Sequence, residues 1–174
     1  MKYQLLIIFS MVAFLSYGQK FPSMDTENTD GSVFSLPDEL EGSKSILFLA
    51  LTSSAEDMLS KWYEPIYIMF IDKSGINAMA FDCHVYLVMM FTGASQSGAE
   101  KVKENIRKNV DPEMAEHLLF YSGSMSDELK ELGVHKKNDA HVLVLDEKGN
   151  VIASETGEYS ERKLDKIAEL VEIQ

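Results

Sequence analysis

The sequence predicts one α/β domain, and three observations carry that prediction. Residues 45–51 (S-I-L-F-L-A-L) and 85–91 (V-Y-L-V-M-M-F) are nearly unbroken apolar runs of strand length, the pattern of strands covered on both faces. Each is followed by a stretch with apolar residues three and four apart, as helices laid on a sheet require. No internal repeat, low-complexity tract or linker divides them, and 45% apolar residues suffice for one core.

Taken in order, Met1-Lys2, the apolar residues 5–15 and Ser16-Tyr17-Gly18 have the charge, apolar length and small residues of a secretory signal peptide cleaved after Gly18. The apolar run is shorter than the roughly 20 residues that span a bilayer. Polar Gln19-Lys20 follows at once, so the expectation is export rather than a membrane anchor, with residues 19–174 as the folded domain. Residues 21–36 place the turn Asp30-Gly31 between two short β-type segments and predict an edge hairpin. After a short connection through Gly42, the first core strand delivers Thr52-Ser53-Ser54. Ser53-x-x-Glu56 has the spacing of a capping box, so a helix is expected from about Ser54. Met58, Leu59, Trp62, Tyr63, Ile66, Met69 and Phe70 form its inward face, and Pro65 predicts a kink or two helical pieces ended by residues 72–75.

Beyond the second core strand, residues 92–98 read as a loop. A helix with Ala99, Val102, Ile106 and Val110 inward follows, stopping near Asp111-Pro112. Residues 118–121 read as a short strand and 126–132 as a short helix with Gly133 as its C′ residue. Residues 140–145 and 151–154 flank a turn in which Gly149 can take the left-handed conformation. Ser160 is positioned to cap a last helix carrying Leu164, Ile167, Ala168 and Val171.

Composition narrows function by exclusion. A net charge of −12 repels phosphate backbones and argues against nucleic-acid binding. No basic amphipathic stretch is present to hold anionic lipid. The acidic surface serves solubility first and a cationic partner second. A single cysteine, Cys83, forbids an intramolecular disulfide.

Pro22, the segment 30–36 (D-G-S-V-F-S-L), Gly42-Ser43-Lys44 and the apolar strand after them resemble the opening of the secreted TlpA-like and peroxiredoxin-like branch of the thioredoxin superfamily. The segments Leu132-Gly133-Val134 and 142–152 and the terminal helix are similar to that family's closing strand, hairpin and helix. The resemblance spans residues 21–174 and implies a thioredoxin-like three-layer fold: a central mixed sheet flanked by helices, with an N-terminal β-hairpin and a C-terminal hairpin plus helix. It also implies where chemistry belongs. Aligned on Phe48 and Ala50, the family's W-C-x-x-C cysteines fall on Ser53 and Glu56. A hydroxyl has no thiolate-like state near neutral pH and a carboxylate cannot close a disulfide, so dithiol exchange lacks a carrier. The family's cis-proline falls near Ala140; a cis bond without proline costs roughly 3 kcal/mol, so a trans bond is expected there.

Cys83, in Phe81-Asp82-Cys83-His84, is the one thiol that an oxidoreductase or one-cysteine peroxidase could use, with His84 or His117 to activate it; inert packing is the competing reading. His84, His117, His135 and His141 have no ligand-like spacing, and His141 sits where the family's groove lies. Of ten methionines, Met89 and Met90, with Cys83, are the soft ligands a metal carrier would need. Glu56, Asp57 and Glu64 cluster on the first helix, where capping and the helix dipole account for the first two. The expectation is therefore an exported, redox-inactive binding or accessory module, periplasmic or secreted, without a cofactor. Its contact groove for a peptide or protein partner comprises Thr52, Ser53, Ser54, Glu56, Ala140 and His141.

Overall fold

The computed structural model describes residues 18–72 and 74–173, with the side chains of all but Ile76, Ala78 and Ser126. The predicted signal peptide, apart from Gly18, lies outside the described residues. Eight strands form one mixed sheet: β1 (Gln19–Lys20), β2 (Met24–Asn28), β3 (Val33–Leu36), β4 (Lys44–Ala50), β5 (Cys83–Thr92), β6 (Leu118–Gly123), β7 (His141–Leu145) and β8 (Asn150–Thr156). Their order across the sheet is β1-β8-β7-β4-β5-β6-β2-β3. β4, β5 and β6 run parallel, whereas β7 joins β4 antiparallel and carries β8 as a hairpin. The two apolar runs become adjacent central strands, and the hairpin β2–β3 closes one edge. Residues 19–20, unremarkable as sequence, add a short edge strand to β8.

Among the described residues five α-helices complete the layers: α1 (Ser53–Ile66), α2 (Ala99–Asn109), α3 (Pro112–Ala115), α4 (Ser126–Glu131) and α5 (Glu161–Val171). Strand alternation divides the core in two. Ile46, Phe48 and Ala50 of β4 face Ala55, Leu59, Trp62 and Ile66 of α1 and Leu164, Ile167 and Val171 of α5. Leu47 and Leu49 point the opposite way, to Leu129 of α4 and to Phe21, Leu36 and Leu40 of the N-terminal segment. Both faces of β4 are therefore covered, which is why its sequence does not alternate. Trp62, fully buried between Phe48 and Tyr159, donates its indole N–H to the Gly157 carbonyl at 3.2 Å and ties α1 to the end of β8.

Near Pro65 the two helical pieces are found as expected, α1 ending at Ile66 and a π-helical turn, Tyr67–Ile71, following it. Several other local expectations change. The cap of α1 is Thr52, one residue ahead of the predicted Ser53, because Thr52 has extended backbone and its Oγ1 accepts the Ala55 N–H at 3.3 Å. Glu56 is consequently too far along the helix to close a capping box. On α2 the predicted inward residue Val102 is exposed, and Lys103 is buried in its stead. Ser160 precedes α5 but makes no side-chain cap; its carbonyl receives the first helical bonds. Gly133 and Gly149 have φ of +84° and +77°, the left-handed turns anticipated for them.

Candidate functional site

β4 ends at Ala50, opposite Met89 of the longer β5, and β7 begins beside it, with His141 opposite Leu49. Thr52 follows directly and holds two segments together. Its Oγ1 caps α1 and donates toward the carbonyl of Lys137 and the side-chain oxygen of Asn138, both at 3.2 Å. The strand end and the loop before β7, far apart in sequence, are thus brought together. Ser53 and Ser54, the first helical residues, are exposed beside them.

Ala140 and His141 lie elsewhere than a contact surface would require. They are 0% and 2% exposed, so neither side chain reaches solvent. His141 Nε2 lies 2.8 Å from the Lys136 carbonyl, and Nδ1 lies 3.3 Å from Thr156 Oγ1. A carbonyl only accepts, so Nε2 carries the proton and Nδ1 accepts the threonine hydroxyl. Burial holds the imidazole below its ordinary range despite that carbonyl, which keeps the ring neutral. His141 therefore fixes the 136–139 loop against which Thr52 docks, and the outer surface is made of Thr52, Ser53, Ser54 and residues 136–138. Among the described residues the one cis peptide is Leu36–Pro37, so the bond before Ala140 is trans as expected.

Cys83 sits at the opposite end of the sheet. It opens β5 and pairs with Lys44, the first residue of β4, whereas Met89 pairs with Ala50, the last. Six residues of strand separate those levels, about 20 Å at the usual rise. His117 uses its Nδ1 to hold the Val85 carbonyl of β5, at 2.9 Å. The soft-metal set fails for a related reason: Met89 and Met90 are consecutive in a strand, so they face opposite sides of the sheet. They cannot converge with Cys83 on one ion.

The acidic residues of α1 separate in the same way. Asp57 is exposed, whereas Glu56 is half-buried against Leu59, Leu87, Met89 and Leu118, and burial, then Asp57, raises its carboxyl above the usual range. The sequence gives no sign of that pocket, because its floor is assembled from β4, β5 and β6. A larger cleft of about 620 Å³ lies beyond the far end of α1, lined by Tyr67, Asp72, Glu113, Glu116 and His117. There the Tyr67 hydroxyl donates to Glu113, which pushes the phenol up to about 12.

No protein-family profile matches the chain, and no curated protein does. Solved structures do. The exposed lipoprotein thioredoxin of Streptococcus pneumoniae matches over 85% of this chain and 99% of its own, with a TM-score of 0.59 at 15% identity. A thioredoxin-family thiol:disulfide interchange protein of Chlorobium tepidum matches over 88% and 96%, with a TM-score of 0.53 at 14% identity. The thioredoxin domain of a Bacteroides vulgatus thiol-disulfide oxidoreductase matches over 90% and 99%, with a TM-score of 0.52 at 13% identity. Among the described residues no helix is long and apolar enough to cross a membrane. With its mixed sheet, its hairpins at both ends and these neighbours, the chain has the thioredoxin-like fold, and it carries one cysteine where a dithiol pair needs two.

Proposed function

We propose that this chain is an exported thioredoxin-fold protein that works by binding a peptide or protein partner rather than by dithiol exchange. One observation carries the reading: the helix start at the end of β4 is built from Thr52, Ser53 and Ser54, while the only sulfur nucleophile lies at the other end of the strands. Thiol chemistry needs a thiolate where the helix dipole can stabilise it, and a hydroxyl there does not supply one. What this end offers instead is surface. The exposed Ser53 and Ser54 adjoin the residue 136–138 loop, and Thr52 and His141 lock the two together.

The test pairs an activity assay with residue-specific crosslinking. A photo-crosslinking residue at Ser54 should capture a discrete partner from the exported fraction, and the same residue at Asp82 should not. Disulfide reduction and peroxide consumption should stay at background and be unchanged by Cys83→Ser. Cys83-dependent turnover in either assay would overturn the proposal in favour of a thiol enzyme, and capture at Asp82 alone would move the binding surface to the other end.

A further inference from the structure

Beside the start of α1 lies a pocket of about 150 Å³ whose construction points to the chemistry of its occupant. One wall is a stripe of α1, Glu56, Leu59, Ser60 and Tyr63, spaced at three, four and seven residues along one helix face. The floor consists of two cross-strand pairs, Ala50 with Met89 and Leu87 with Leu118. The lining is apolar except for Glu56, Ser60 and Tyr63. Ser60 has its hydroxyl turned back onto the Asp57 carbonyl at 2.7 Å.

Glu56 is the one carboxylate in this lining, and among the described residues no side chain donates to it or pairs with it. Lys61, the nearest lysine along the helix, is held by Glu158 at 2.8 Å. A half-buried carboxylate without a donor is costly, and a cation delivered from outside would relieve that cost. The surroundings favour the same sign: Asp57 follows Glu56, and Asp111 and Glu113 lie close enough to Tyr63 to raise its phenol after burial has done so. Size discriminates further. Pockets for small-molecule ligands are typically about 300–1,000 Å³, so this one has room for a single side chain and little else.

We infer that the pocket receives a lysine or arginine side chain of a partner segment, its methylene stem on Leu59, Leu87, Met89 and Leu118 and its cationic head on Glu56. Long basic side chains combine an apolar stem with a charged tip, which is the pattern of this lining. The inference rests on the reading that the chain acts by binding, and it specifies the chemistry of the partner.

The test uses the methyl-labelled protein and blocked Gly-Gly-Lys-Gly-Gly peptides, with norleucine or glutamate replacing lysine in the controls. The lysine peptide should shift the methyl resonances of Leu59, Leu87, Met89 and Leu118. The norleucine peptide should bind about tenfold more weakly, the worth of a hydrogen bond to a charged group. The glutamate peptide should not bind. Glu56→Gln should bring the lysine peptide down to the norleucine level and leave the norleucine peptide unchanged. Equal binding of lysine and norleucine peptides, or indifference to Glu56→Gln, would overturn the inference. Saturation of the pocket by free butylamine as tightly as by the lysine peptide would also overturn it, since the ligand would then be a small amine. Crosslinking from Ser54 decides the binding function separately, so a partner captured there with a silent pocket removes this inference alone.

Discussion

Glu27 on β2 and Glu56 on α1 are both partly buried glutamates, and their surroundings push them in opposite directions. Glu27 accepts from Lys103 Nζ at 2.7 Å and also pairs with Arg107, whose guanidinium lies 5.5 Å over the Phe120 ring. The hydrogen bond from Lys103 outweighs the opposing effect of burial and holds the carboxyl below its ordinary range. Glu56 has burial without a donor, and its carboxyl is raised. Lys103 shows the complementary balance: burial pulls its ammonium down, and the bonds to Glu27 and Glu100 more than restore it. Partial burial by itself therefore does not mark a functional carboxylate. A partner converts it into structure, and the lack of one leaves it available to a ligand.

The largest effect should come from breaking the partnered side. Glu27→Gln leaves the Lys103 ammonium buried with only the exposed Glu100, and should cost about 2–3 kcal/mol at pH 7 by urea unfolding, discounted because Glu27 itself is partly exposed. Because the folded carboxyl titrates below the ordinary glutamate value, its contribution is present above that ordinary value and is lost as pH falls through the folded one. The difference between wild type and variant should accordingly close under acid. Lys103→Met keeps the stem and leaves Glu27 with Arg107, so about 1–2 kcal/mol is expected. Similar costs for both at pH 3 and pH 7 would show that packing, not charge, is being measured.

Thr52→Ala supplies an uncharged comparison at the helix that carries Glu56. Loss of the cap and of the loop contacts should cost about 1 kcal/mol, independent of pH. His141 should show a pH effect of its own. Its folded value is depressed below 6.5, so the unfolded chain takes up the proton first, and stability should fall as pH drops from about 6.5 toward the folded value. His141→Gln should flatten that slope. The smallest effect has the reverse sign. Glu56 is raised above 4.5, so its favourable balance exists at low pH and is lost as pH rises through the folded value. Glu56→Gln should stabilise the protein at pH 7 by about 0.5 kcal/mol or less and change nothing near pH 3, where the glutamate is protonated too. A destabilised Glu56→Gln at neutral pH would mean that the carboxylate has a partner in solution.

Cys83, expected ahead of the second core strand, is its first residue, whereas the central strands, the hairpins at both ends and the left-handed glycines were all legible in the sequence. Each depends on neighbours a few residues away: unbroken apolar runs for covered strands, glycine for positive φ, a helical repeat for α1. The errors fall where a distant residue decides. Val102 was the better inward residue of α2 by hydrophobicity, yet Lys103 is buried, because Glu27, 76 residues earlier, reaches it across the sheet. Thr52 and Ser53 are equivalent as local caps, and the loop at Lys137 and Asn138 engages Thr52.

By itself the sequence determined one α/β domain with covered central strands and the lack of a second cysteine, since apolar patterning and residue identity are properties of the chain; the thioredoxin-like arrangement came from its resemblance to a family. Only the tertiary structure decided which polar groups are spent and which remain open. His141 was turned inward onto Lys136 and Thr156, and Glu56 was set over a floor supplied by β4, β5 and β6. The reason is physical: whether a buried charge is costly or harmless depends on a donor within about 3 Å, and strand pairing brings that donor from elsewhere in the chain.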